Sequence, residues 1–169
     1  LDAGFDFYAT QTAESPDGRR ILTAWMGLPD VAYPTDSEDW AHCLTLPREL
    51  SLKDGKLIQQ PVRELVALRK EQALSESGLL SEAKHFERSG ANCYELKLDV
   101  AFPATADHAP VTLDLCEDAT NDKRFRITLD PNTNKITIDR SRCGIPFAEE
   151  FGTTRTLTVE HMDAVKLQI

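Results

Sequence analysis

No run of apolar residues in this chain approaches the roughly 20 that a membrane-spanning helix requires. The first residues are polar and hold no charged-then-apolar targeting segment. Basic runs are also missing. With Lys+Arg at 19 against Asp+Glu at 28, the net charge is −9, which disfavours a nucleic-acid partner. Neither a membrane nor a nucleic acid is therefore an expected partner. Cysteines are few and widely spaced, at Cys43, Cys93, Cys116 and Cys143, with no Cys-x-x-Cys pair. That spacing argues against zinc. Reduced thiols in the core of a cytoplasmic protein are expected, with a bridge left open. His42, His85, His108 and His161 lie far apart without ligand spacing, so packing or surface roles are expected for them. No metal or cofactor is called for.

What is present is strand patterning. Phe5–Gln11 and Arg19–Met26 are strand-like, and Ser15-Pro16-Asp17-Gly18 between them is tight-turn chemistry. On the second strand Ile21, Thr23 and Trp25 share one face and Leu22, Ala24 and Met26 the other. Apolar groups on both faces predict burial on both sides. Residues 28–39, with two prolines and several acids, read as a loop. Asp54-Gly55 marks the tip of a second hairpin. The stretch from Pro61 to Arg69 is the one convincing helix, with Pro61 in its first turn and Val62, Leu65 and Leu68 as an apolar stripe.

From Leu79 onward the period becomes two. Tyr94, Leu96, Leu98 and Val100 alternate with polar residues, as do Val111, Leu113 and Leu115, and Phe125, Ile127 and Leu129. Ile136 and Ile138, Leu157 and Val159, and Val165, Leu167 and Ile169 continue the series. Alternating strands separated by turn-rich gaps predict antiparallel sheets with one buried face, packed as a β-sandwich. Both chain ends are abrupt, and the sequence reads as cut at both.

Two stretches carry a family likeness. The run Leu1-Asp-Ala-Gly-Phe-Asp-Phe-Tyr-Ala-Thr-Gln-Thr12 and the run Trp40-Ala-His-Cys-Leu-Thr-Leu-Pro-Arg-Glu-Leu50 resemble glycoside hydrolase family 32, the β-fructosidases. The wording of Ile21-Leu-Thr-Ala-Trp-Met-Gly27 and Leu44-Thr-Leu-Pro-Arg-Glu-Leu50 is most similar to intracellular bacterial members that act on sucrose 6-phosphate. In the family these stretches follow the catalytic carboxylates. The resemblance implies the last-blade hairpin of a five-bladed β-propeller, then a linker, then most of a C-terminal sandwich.

The family's nucleophile lies in an Asn-Asp-Pro motif, a second aspartate in Arg-Asp-Pro, and the acid/base glutamate in Glu-Cys. Retaining glycosidases need two carboxyl groups about 5–5.5 Å apart. This sequence has one Asp-Pro, at Asp130-Pro131-Asn132, preceded by Leu129 and set between two alternating runs. That context is turn chemistry. No Arg-Asp-Pro or Glu-Cys occurs, and Cys116-Glu117 has the reverse order. No catalytic residue is assigned, and the chain alone is expected to be inactive.

What the resemblance does assign is a pocket wall. Trp25, Asp6 and Tyr8 are the candidate substrate-binding residues, since aromatic faces stack on sugar rings and carboxylates accept their hydroxyls. Packing in the blade is the competing role for each. Trp40, Arg48 and Glu49 are expected to be structural, with Trp40 packed and the ion-forming pair bound to backbone or to each other. The expected fold class is all-β: a propeller hairpin and following loop over 1–50, a connector with a short helix over 51–76, and a C-terminal antiparallel β-sandwich over 77–169. The implied partners are sucrose 6-phosphate or sucrose, and the N-terminal propeller portion of the same protein. A carbohydrate-binding module, or a structural or oligomerisation sandwich, is the alternative.

Overall fold

The computed structural model describes residues 2–87, 93–103 and 108–169. Its first sheet grows from the Ser15–Gly18 turn, where Gly18 N donates to Ser15 O at 2.9 Å and Gly18 adopts φ +82°. The turn joins β1 (Tyr8–Glu14) to β2 (Arg20–Met26), antiparallel, with Glu14 opposite Arg20 and Tyr8 opposite Trp25. A bulge between Tyr8 and Gln11 holds Ala9 at φ +48°. β2 buries Leu22 and Ala24, half-covers Ile21, Thr23 and Trp25, and leaves Met26 exposed.

The other edge of β2 carries two strands in line, β3 (Cys43–Leu44) and β4 (Arg48–Lys53). Proline has no N–H to donate, so a ladder cannot run through Pro47. Thr45 bridges the gap. Its N donates to Ala24 O at 2.8 Å, and its Oγ1 accepts from Ala24 N at 3.1 Å. This makes Thr45 a buried polar side chain whose hydroxyl is satisfied. β4 then pairs with β5 (Lys56–Pro61) through a two-residue loop, Asp54 at φ +51° and Gly55 at φ +73°. Positive φ at both loop residues is the type I′ hairpin turn.

The helix expected from Pro61 is a 3-10 helix spanning Arg63–Leu68, and Pro61 itself closes β5. Its capping bonds, Leu65 N to Val62 O and Arg69 N to Val66 O, are both 3.1 Å and three residues apart. The expected stripe is not a buried face: Val62 is buried, but Leu68 is exposed. Six residues, two 3-10 turns, are too few to hold an α-helix on their own. The loop over 28–39 also contains a 3-10 helix, Pro34–Glu38. Trp40 does not pack as expected. It is 55% exposed and donates from Nε1 to Glu38 Oε2 at 3.2 Å.

The second half is a small sandwich. Its larger sheet contains β7 (Val111–Asp118), β8 (Lys123–Asp130), β9 (Lys135–Arg142) and β10 (Thr154–Thr158), in the order β10-β9-β8-β7. The smaller sheet pairs β6 (Lys97–Ala101) with β11 (Ala164–Gln168), antiparallel. Leu96 and Ile169 extend that pairing by exchanging backbone bonds at 2.7 and 2.9 Å. Between the sheets lie Phe102, Ile127, Leu129 and Met162, surrounded by half-buried Val100, Val111, Leu113, Ile136 and Val165. The period-two alternation puts these side chains on the inner faces. The run from Leu79 forms no strand before β6 among the described residues, and residues 88–92 lie outside them.

All four cysteines are free, but they are exposed rather than in the core. Asp130 caps the β8–β9 turn: it accepts from Asn132 N at 3.0 Å and from Thr133 Oγ1 at 2.7 Å. That local bonding holds its carboxyl below the usual carboxylate range.

Three arginines tie the parts together. Arg19, at the foot of β2, reaches Glu64 at 2.6 Å, Asp17 at 2.8 Å and Glu49 at 3.3 Å, pinning the linker helix to the first hairpin. Arg69 forks onto Glu95, which Gln168 of β11 also contacts at 2.6 Å. Arg140 of β9 reaches Asp6 at 3.4 Å.

Candidate functional site

The three candidate residues, Trp25, Tyr8 and Asp6, meet the sheet in different ways. Trp25, half-buried at the end of β2, lies 6.1 Å between ring centroids from Tyr8. Cross-strand pairing puts the two rings side by side. Tyr8 is 57% exposed, so its face is open. Asp6 is not open: its side chain is 13% exposed and its carboxylate is held by Arg140. Asp6 also takes φ +42°, a left-handed conformation uncommon for a residue with a Cβ.

Behind Trp25 stands His42, for which only a packing or surface role was expected. Its ring meets Trp25 edge-on at 4.9 Å and Tyr33 edge-on at 4.4 Å. Edge-to-face contacts at these distances are favoured by the ring quadrupoles. His42 adopts φ +71°, and its Nε2 is buried with no hydrogen-bond partner among the described residues. Tyr33 continues to Phe147 at 5.2 Å, and its hydroxyl accepts from Leu28 N at 2.9 Å. Burial pushes the Tyr33 hydroxyl pKa up. Gly27 makes this packing possible, since a Cβ there would lie 2.3 Å from Trp25 Nε1 and 2.8 Å from His42 Cγ.

Arg140 closes the arrangement. Its guanidinium lies over Phe5 at 4.2 Å and over Phe147 at 5.0 Å, and Arg155 covers Phe5 at 4.6 Å. Arg48 covers Phe7 at 4.7 Å and binds Asp2 at 2.8 Å and Gln59 at 3.2 Å. Arg48 and Glu49 thus bind separate side chains, where backbone or each other was expected. An open concavity of about 430 Å³ is lined by Asp2, Gly4, Phe7, Tyr8, Ala9 and Thr10. It includes Tyr8 but neither Trp25 nor Asp6. Positive φ values at Asp6, Ala9 and His42 gather around the rings. Such strain collects at functional sites, where neighbouring packing holds it.

Among the described residues no group of three or more His, Cys, Asp or Glu could hold a metal ion, and no helix is long and apolar enough to cross a membrane. What the arrangement offers chemically is an aromatic surface with polar neighbours. It can stack on and hydrogen-bond a ligand.

An antiparallel sheet bearing a cluster of aromatic rings, linked to a small sandwich, defines a two-part all-β protein. The glycosyl hydrolases family 32 N-terminal domain matches residues 1–61, and the family 32 C-terminal domain matches residues 64–169. The chain belongs to glycoside hydrolase family 32. It is similar to a sucrose-6-phosphate hydrolase from Pediococcus pentosaceus, 38% identical over 100% of this chain and 32% of the relative. A sucrose-6-phosphate hydrolase from Streptococcus mutans is 39% identical over 98% of this chain and 31% of the relative. The solved sucrose-6-phosphate hydrolase from Lactobacillus gasseri superposes with a TM-score of 0.82 at 34% identity, covering 100% of this chain and 33% of that one. The chain spans about a third of the length of these relatives.

Proposed function

We propose that this chain is the C-terminal portion of a cytoplasmic β-fructofuranosidase that cleaves sucrose 6-phosphate, or sucrose, at the fructosyl bond. The observation that carries this reading is the match to sucrose-6-phosphate hydrolases along the whole chain but over about a third of their length. The carboxyl pair required for retention belongs to the portion that precedes it. One carboxylate there attacks the anomeric carbon, and the other protonates the leaving oxygen and then activates water. No cofactor is needed for that chemistry.

In this reading residues 1–50 complete the last blade of a propeller, 51–76 connect, and 77–169 form the supporting sandwich. Trp25 and Tyr8 present ring faces toward the fructosyl pocket, and Asp6 braces them. A sugar-binding sandwich has less support, because both tryptophans, Trp25 and Trp40, lie before the linker. Release of reducing sugar from sucrose 6-phosphate and sucrose tests the proposal. The chain alone is expected to be inactive. Joined to the preceding portion of its own protein or of the Pediococcus relative, it is expected to yield an active enzyme. Turnover by the chain alone would show that the catalytic carboxyls have been misplaced.

A further inference from the structure

Arg140 belongs to the sandwich, yet it is the point where two routes to the aromatic wall meet. One route is polar. Arg140 Nη1 meets Asp6 Oδ2 at 3.4 Å, and Asp6 lies two residues before Tyr8. The other is a chain of rings: Phe147 under the guanidinium, then Tyr33, His42, Trp25 and finally Tyr8. Together the two routes form a closed circuit. Arg140 is the guanidinium in it and, with Arg155 over Phe5, draws the sandwich against the strap at residues 5–8.

The circuit is well enclosed at this point. The Arg140 and Asp6 side chains are 10% and 13% exposed. The guanidinium stacks on Phe5 and Phe147, and its Nη2 donates to Gly152 O at 3.4 Å. Its Nε is buried without a partner among the described residues. A planar cation held by stacking on two rings and by a carboxylate has little freedom to move, unlike a lysine ammonium. Asp6 at φ +42° is a conformation that needs support from its surroundings. Arg140 supplies that support directly.

We propose that Arg140 is a positioning residue: through Asp6 and Phe147 it sets the orientation of Tyr8 against Trp25. The sandwich thereby fixes the geometry of the wall as well as supporting the sheet beneath it. That the wall faces sugar rests on the function proposed above; that Arg140 orients it does not.

The first test uses this chain with Trp40→Phe, which leaves Trp25 as the only indole. Arg140→Met is expected to red-shift Trp25 emission and at least double its acrylamide quenching. Arg140→Lys should fall between, and Asp6→Asn should follow Arg140→Met in direction. Arg126→Met, which breaks a comparable ion pair within the sandwich, should leave Trp25 unchanged. Far-UV circular dichroism reports whether each variant is folded, and Asp6→Asn, nearly isosteric, serves if Arg140→Met is not. Unchanged Trp25 emission in a folded Arg140→Met or Asp6→Asn chain overturns the proposal. The second test places the same substitutions in the active, joined enzyme. KM for sucrose 6-phosphate should rise about tenfold, with kcat falling less than threefold, and Arg140→Lys should recover part of the loss. Equal KM in wild type and Arg140→Met would overturn the positioning role. Absence of activity in the unsubstituted joined enzyme would instead overturn the proposed function.

Discussion

A methyl group at Gly27 has nowhere to go: both rings that it would strike, Trp25 and His42, are backed by other side chains. Gly27→Ala is expected to destabilise the chain by about 1–3 kcal/mol, the usual range for overpacking, and to displace Trp25. Urea unfolding followed by Trp25 fluorescence measures both. Thr45 makes a different demand. Replacing it with Val keeps the shape but leaves Ala24 N facing a methyl group, an unpaired buried donor costing about 1–3 kcal/mol. Thr45→Ser, which keeps the hydroxyl, should lose markedly less in the same denaturant titration. At this scale the sequence showed which side chains to watch but not their partners. Trp25, Tyr8 and Asp6 stand in recognisable runs. Arg140 is 134 positions from Asp6, and His42 Nε2 has no hydrogen-bond partner among the described residues, so the surroundings of neither can be read from its local sequence.

Elements were read best where one physical rule decides them. The Asp54-Gly55 loop is an example, because only a residue free to take positive φ suits both type I′ positions. Gly55→Ala puts a Cβ at φ +73°, where space is open but the backbone is strained. It should lower stability by about 1 kcal/mol, read as a shift in thermal midpoint, while Asp54→Gly should cost less. The sandwich strands were equally plain, since alternation of Leu113 and Leu115 or Ile127 and Leu129 with polar residues is what a half-buried strand requires. The linker helix stands where it was read, but its type was not legible, because Val62, Leu65 and Leu68 satisfy a helical period over too few residues to tell α from 3-10. The split of one long strand at Pro47 into β3 and β4 was missed for a related reason. Proline announces the break, but only tertiary contact shows that Thr45 repairs it.

For the whole molecule, acidity is the dominant electrostatic fact. Several carboxyls titrate below their ordinary values in the fold. Asp17 is lowered to about 2, first by the Ser15 hydroxyl and then by Arg19. Glu64 is lowered by Arg19, Glu95 by Arg69, and Asp114 by Arg126. A depressed carboxyl binds fewer protons folded than unfolded, so each contributes stability that is complete above the ordinary range near about 4. That contribution is lost as pH falls through the depressed values. Thermal midpoints measured from pH 7 down to 2 should therefore hold nearly level and then drop below about pH 4. Asp17→Asn should narrow its gap to wild type as pH approaches 2. The Arg19–Glu64 and Arg69–Glu95 pairs join the first sheet, linker and sandwich, so acid should loosen the joints before it dissolves the core around Leu129.

The exposure of Cys43, Cys93, Cys116 and Cys143 bears on how assembly of this chain is to be measured. Accessible thiols in air link one molecule to another, and the products travel through a sizing column like a genuine oligomer. A dimer that vanishes on adding dithiothreitol reports the chemistry of storage, and only the species that survives reductant reports on the protein's own surfaces.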